Sequence, residues 1–318
     1  MDIGGTKLII GAVREDGADL VGTESTWTQA ERGADDILER LAAQIRRVAD
    51  ALARERPGAE LIGMGVGAPG ALDRAKGIVY LAPNLGWRDM PLGARLREIV
   101  DVPVALENDA NCAVLGECWI GAAQGVRHAI GLTIGTGVGG GIIIDGRLYH
   151  GASDCAGEIG HITIDTEGRR CGCGNYGCLE AYASGTAIAL RAAEQIESGA
   201  DSSLVDRVEG NLRAITAQMV YEAAEAGDVL ALEVVTETAR FLGAGVASLL
   251  NIFNPEAVVI VGGVTRAGPR LFVPLDREVR RRAFKPAVAA CRIVPGKLLG
   301  TAGVWGAAKA FLDQQAHA

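Results

Sequence analysis

The chain has 318 residues, of which 49% are apolar and 22% charged, a composition that excludes a disordered protein and gives room for two domains with their own cores. A net charge of -8 and a pI near 5.2 exclude a nucleic-acid or anionic-membrane surface, because either needs a clustered basic patch, and small ligands are the expected partners. No run reaches the roughly 18 apolar residues of a membrane span. Asp2 and Lys7 interrupt any signal-peptide core, and seven cysteines in a chain this large suit a reducing compartment, so a cytoplasmic protein is expected.

In chain order, Asp2-Ile-Gly-Gly-Thr-Lys7 is a glycine turn that leads into the apolar run Leu8-Ile9-Ile10. Ile37, Leu38, Leu41, Ile45, Val48 and Leu52 recur at helical spacing and predict a helix over 34–55, ended by Pro57-Gly58. Short apolar or β-branched runs predict strands at 61–66, 102–106, 129–134, 141–144 and 257–261. Helical patterns fall between them at 109–118, 180–197, 212–226, 228–250 and 300–315. That alternation predicts an α/β protein with largely buried sheets. The chain is expected to cross between lobes near residues 115 and 298, giving one lobe of 1–115 plus 299–318 and a second of 116–298.

The 44 glycines are not gathered in any low-complexity tract, which points to tight turns and close backbone approaches. The turn Ile134-Gly-Thr-Gly-Val-Gly-Gly-Gly141 before Ile142-Ile143-Ile144 repeats the pattern of the first turn, and Val258-Val-Ile-Val-Gly-Gly263 is a weaker third member. Glycine turns let backbone N–H groups crowd phosphate oxygens, and a Thr hydroxyl adds a donor. One such turn alone reads as a hairpin. Two of matched composition favour a nucleotide gripped by Gly4, Gly5, Thr6, Lys7, Gly135, Thr136, Gly137, Gly139, Gly262 and Gly263. Gly135-x-Gly137-x-x-Gly140 and Gly65-x-Gly67-x-x-Gly70 also fit a dinucleotide fingerprint, but neither opens a helix as that motif requires. Asp2 beside its turn suits Mg²⁺ held through water.

Glu107-Asn-Asp-Ala-Asn111 joins a strand to a helix. Asn108 or Asp109 reads first as an N-cap. A carboxylate in the first helical turn is also kept ionised by the helix dipole, which suits Asp109 to take a proton from a sugar hydroxyl. His161 followed by Cys171-x-Cys173-x4-Cys178 supplies the Cys₃His set of a closed, structural zinc site; a disulfide would leave one thiol over. Glu158 and Glu180 flank that loop as acceptors for sugar hydroxyls. Asn84, in a Pro-Asn turn, adds a polar contact.

Taken together and in this order, these motifs resemble the ROK family (repressor, open reading frame, kinase), and the resemblance spans essentially the whole chain. It implies a two-lobed actin-like (ribonuclease H-like) ATPase fold with a zinc-binding loop, and a glucokinase in which sugar and ATP meet between the lobes. It implies Asp109 as catalytic base, Asn108, Glu158, His161 and Glu180 as sugar contacts, and His161, Cys171, Cys173 and Cys178 as zinc ligands. ATP, Mg²⁺ and zinc are the implied cofactors, with a homo-oligomer of two or four chains as the implied assembly. The family also contains sugar-responsive repressors, which carry a helix-turn-helix ahead of the first glycine turn. Members usually carry an apolar strand before that turn; here only Met1 precedes Asp2, so a true start upstream of Met1 is the first expectation, and with the short form a nearly absent first strand and a poorly supported turn are expected.

Overall fold

The computed structural model describes residues 1–316 and divides them into two compact units. The first comprises Met1–Gly125, Gly141–Gly157 and the chain from Lys297 onward; the second comprises Val126–Gly140 and Glu158–Gly296.

In the first unit, β1 (Asp2–Ile3), β2 (Lys7–Val13), β3 (Leu20–Trp27), β4 (Met64–Ala68) and β8 (Val104–Asn108) form one sheet in the order β3-β2-β1-β4-β8. β1 and β2 and β2 and β3 pair antiparallel, whereas β4 runs parallel to both β1 and β8. β5 (Ala71–Asp73), β6 (Ile78–Ala82) and β7 (Trp87–Met90) make a small antiparallel sheet of their own. The expected helix forms at Ala34–Glu55, with Ile37, Leu38, Leu41 and Val48 buried against β2 and β3. The first strand is as short as expected, yet its turn is not poorly supported. Thr28, fully buried, donates from Oγ1 to the Gly4 carbonyl at 2.7 Å, and its N–H donates to the Thr6 carbonyl at 2.8 Å. The Met1 amine donates to the Gly65 carbonyl, and the Gly67 N–H donates to the Met1 carbonyl, both at 2.9 Å, so Met1 extends the parallel pairing with β4.

In the second unit, β9 (Ala129–Ile134), β12 (Ala257–Val261) and β13 (Arg292–Pro295) run parallel with β12 central. β12 is buried along almost its whole length and consists only of Ala, Val and Ile, as a strand covered on both faces requires. β10 (Val138–Ile144) begins in this unit and ends in the first, where Ile143 and Ile144 pair with Leu148 and Arg147 of β11 (Arg147–Leu148). The long helix Val229–Phe253 is capped by Asp228 at its start and closed by Asn254 in the left-handed conformation.

Several elements differ from the sequence expectation. The helix expected over 180–197 is two, Glu180–Ala183 and Gly185–Glu197, broken at Ser184, whose hydroxyl accepts from the Ala187 N–H to cap the second. The segment 212–226 holds a single 3₁₀ turn and a helix from Ala217 to Glu225. Pro269-Arg282, with Pro at its first position and again at Pro274, is a helix that the prolines concealed. No helix among the described residues is long and apolar enough to cross a membrane.

Helix Ala302–Gln315 packs closely on helix Asp109–Trp119 through glycines. A Cβ on Gly306 would lie 1.6 Å from the Cys112 carbonyl oxygen, and one on Gly116 would lie 2.3 Å from that of Ala302. Nothing can yield there except the helix separation. Gly306→Ala is therefore expected to cost on the order of 1–3 kcal/mol or more, read from the urea midpoint at unchanged slope.

Candidate active site

The first unit carries one half of the candidate residues. β4 and β8 are in register from Met64↔Val104 to Ala68↔Asn108, so the ladder delivers Asn108 to the sheet's end. There the backbone turns into helix Asp109–Trp119. Asn108 is the cap, its Oδ1 accepting from the N–H groups of Ala110 at 2.9 Å and Asn111 at 3.1 Å. Asp109 is thus the first helical residue, half-buried at the positive end of the helix. The two sequence roles separate: capping falls to Asn108.

Asp2, the first residue of β1, lies close enough to Asp109 for the two carboxylates to repel. Burial, reinforced by the Asp109 charge, pushes the Asp2 carboxyl up to about 7, while the Met1 ammonium opposes the rise. Gly5 and Thr6 are exposed in the turn above it. Asn84, in the 3₁₀ turn Pro83–Leu85, sits against that turn, since a Cβ on Gly5 would meet the Asn84 Cβ at 3.2 Å. Lys7 opens β2 with its ammonium 5.1 Å from the Trp27 ring centre.

Glu107, one residue before the cap, is buried with 1% exposure and has no mark in the sequence beyond its place in the motif. Its Oε1 accepts from the Asn108 N–H at 3.0 Å and from Asn111 Nδ2 at 2.9 Å. Its Oε2 lies 2.8 Å from His150 Nε2 and 3.0 Å from Arg74 Nε. Burial alone would raise this carboxyl, but the His150 hydrogen bond and the Arg74 charge outweigh it and hold it below the ordinary range.

The second unit carries the other half. Its glycine turn proper is Gly135–Gly137; Gly139 belongs to β10. Gly185 N–H donates to the Gly135 carbonyl at 2.8 Å, and Thr186 Oγ1 donates to the Thr136 carbonyl at 2.8 Å. The Val138 N–H donates to Glu180 Oε2 at 2.9 Å. Gly262, at φ 116° after β12, approaches the Ile134 carbonyl so closely that a Cβ would lie 2.1 Å from it, and Gly263 is exposed beside it. The turn is therefore held at Glu180, at Gly185–Thr186 and at Gly262, leaving Gly135 and Thr136 exposed. The helix break at Ser184 is what brings Gly185 and Thr186 to it.

His161, Cys171, Cys173 and Cys178 each offer one ligand atom, and these atoms all lie within 4.8 Å of one another. Cys173 Sγ and Cys178 Sγ are 3.7 Å apart, and Cys171 Sγ is 3.8 Å from His161 Nδ1. A tetrahedral ion with metal–sulfur bonds of about 2.3 Å requires edges of about 3.7 Å, so the four residues fit a closed four-coordinate site. His161 then turns Nδ1 to the thiols and Nε2 outward, 3.9 Å from Glu158 Oε2. Glu180 reaches from this cluster to the glycine turn, its Oε1 3.6 Å from Cys171 Sγ. Thr28, Thr186, Arg74 and His150 went unmarked in the sequence, because their contacts join segments far apart in the chain.

A glycine turn at a strand end in each unit, with a carboxylate at a helix N-terminus, defines the actin-like ATPase class. The chain belongs to the ROK family, whose model matches residues 1–314. It is 39% identical to a glucokinase of Thermotoga maritima over 99% of this chain and 96% of that protein. A ROK family glucokinase from Streptomyces griseus, solved in complex with glucose and AMPPNP, superposes with a TM-score of 0.84 at 36% identity, covering 97% of this chain and 96% of that one. A xylose repressor of Caldicellulosiruptor bescii is 36% identical over 77% of this chain but only 61% of its own length.

The raised Asp2 carboxyl has a pH signature. The folded, ligand-free chain keeps a proton there that the unfolded chain has released, so this group's stabilising effect is complete below about pH 4 and is lost as pH rises through about 7. Thermal midpoints of the nucleotide-free protein and Asp2→Asn across pH 5 to 8 check this: the wild type should lose stability relative to the variant as pH rises.

Proposed function

We propose that this chain is an ATP-dependent glucokinase, transferring the γ-phosphoryl group of ATP to the 6-hydroxyl of D-glucose in the cytoplasm. The observation that carries the proposal is its likeness, over nearly the full length of both chains, to the S. griseus glucokinase that holds glucose and an ATP analogue.

In this reading residues of both units take part in one reaction. Asp109 accepts the proton from the sugar 6-hydroxyl as that oxygen forms its bond to the γ-phosphorus and the bond to the bridging oxygen of ADP breaks. A carboxylate is a sufficient base because the transition state is loose and positioning with charge neutralisation supplies most of the acceleration. Asn84, Asn108, Glu158, His161 and Glu180 hold the sugar hydroxyls. Backbone N–H groups of Gly4, Gly5, Thr6, Gly135, Thr136, Gly137 and Gly263, with Lys7, hold the phosphates. Asp2 receives Mg²⁺ through water, and Mg²⁺, when bound, neutralises charge on the phosphates. Bound Mg²⁺ would favour the ionised form of the Asp2 carboxyl, whose proton would pass to solvent.

The His161, Cys171, Cys173 and Cys178 set suits zinc, which supplies a fixed loop and no open position for chemistry. Through the short link Cys178-Leu179-Glu180 that loop is tied to the Gly135–Gly137 turn, where Glu180 accepts from the Val138 N–H, so a bound metal would brace sugar contacts and phosphate turn together. One zinc per chain is expected from metal analysis of purified protein. Cys178→Ser should lower both the zinc content and the thermal midpoint; a folded protein with no metal would refute the site.

A coupled assay over glucose, mannose, fructose and N-acetylated hexosamines, with ATP and with polyphosphate, tests the substrate. Glucose with ATP should give the highest kcat/KM; far faster turnover of fructose or N-acetylmannosamine would overturn it. Asp109→Asn should lose about 10²–10⁴-fold in kcat with the sugar KM changed only a few-fold, and full activity would refute the base.

A further inference from the structure

The Glu107 cluster uses more of the chain than a cap needs. Three chain segments of the first unit converge on one carboxylate that is 1% exposed. Arg74 comes from the turn after β5, His150 from the segment after β11, and Asn108 and Asn111 from the junction that carries Asp109. Arg74 is shared: its backbone N–H approaches Asp154 Oδ2 at 3.5 Å and its guanidinium lies 3.9 Å from Asp154 Oδ1. Asp154 and His150 both belong to the segment 149–157, which runs directly into Glu158.

We propose that Glu107 is a positioning residue for the sugar: through His150 and Arg74 it locks the segment feeding Glu158 to the strand end that presents Asn108 and Asp109. Each of its two oxygens serves one side. Oε1 holds the Asn108 backbone and the Asn111 side chain, which fixes the rotation of the cap and with it the direction of Asp109. Oε2 holds His150 and Arg74, which fixes the incoming segment. A buried carboxylate with three hydrogen-bond partners and an ion pair to Arg74 is costly to assemble and would be poorly replaced by a neutral group. Its value is geometric, because a misplacement of about 1 Å at a phosphoryl-transfer site costs about 10²-fold in rate. The glycine turns Gly4–Lys7 and Gly135–Gly137 have their own fastenings on Thr28, Gly185, Thr186 and Glu180 and take no bond from Glu107. Loosening Glu107 should therefore harm the sugar side and spare the nucleotide side.

Glu107→Gln, His150→Ala and His150→Gln, prepared in the full chain, test this with glucose and ATP varied separately. Glu107→Gln should lose about 10²-fold in kcat/KM for glucose while KM for ATP stays within about two-fold. His150→Ala should lose sugar-side efficiency in the same sense, and His150→Gln, which can still donate to Glu107, should regain most of it. A folded Glu107→Gln with wild-type constants, or one whose KM for ATP rises as much as its KM for glucose, overturns the proposal. If Glu107→Gln does not fold, the His150 pair decides, and equal activity in its Ala and Gln forms overturns it. The inference rests on Asp109 as the base, and Asp109→Asn keeps the two apart. An inactive Asp109→Asn beside an unimpaired Glu107→Gln overturns this inference alone, whereas a fully active Asp109→Asn overturns the reading beneath it.

Discussion

The parallel ladder between β4 and β8 ends at Asn108, and that ending sets the direction of helix Asp109–Trp119. The strand brings the backbone to the sheet's edge, Asn108 closes the first helical turn, and Asp109 follows as the first residue in the field of the exposed N–H groups. Helix Ala302–Gln315, laid against it at glycine-only distances, keeps the axis from shifting. Glu107 below the junction is the only buried member of the motif that carries a charge, and it takes its partners from two other segments. A residue offered as a base in phosphoryl transfer needs little basicity but a fixed direction, and this junction supplies direction.

The two glycine turns meet the same demand by different means. In the first unit a single buried residue, Thr28, holds the turn from beneath through its hydroxyl and its N–H. In the second, Glu180, Gly185–Thr186 and Gly262 converge, and Glu180, two residues after Cys178, links the turn to the cysteine loop. Both arrangements spend bonds on the turn's carbonyls and rear N–H groups, which leaves the exposed face of the glycines for oxygen ligands. A structural ion in the His161 and cysteine set would brace this turn through the same short link, a role beyond stapling in a chain that has core enough to fold.

Much of this was legible in the sequence where one physical signal dominated. Ala129–Ile134 and Ala257–Val261 are strands at the expected boundaries, because a strand covered on both faces is built almost wholly of apolar residues. His161 and the three cysteines come together as their spacing required. Less was legible where tertiary bonds overrode local pattern. Ser184 lies inside a periodic helical run and breaks it by capping, so that Gly185 can bond the Gly135 carbonyl. Prolines at 269 and 274 concealed a helix, and the β5–β7 sheet has too few buried positions to show an alternation. Glu107 read as one more acid in a motif, since Arg74 and His150 are 33 and 43 residues away in the chain and only the fold reveals them.

The central claim is that this chain moves a phosphoryl group from ATP to the 6-hydroxyl of glucose. Phosphorus and carbon NMR of a reaction of purified protein with ¹³C-glucose, ATP and Mg²⁺ tests it most directly. The account predicts ADP and glucose 6-phosphate in equal amounts, with phosphorus coupling at carbon 6. ADP accompanied by free phosphate, or a phosphate ester at any other carbon, would contradict it.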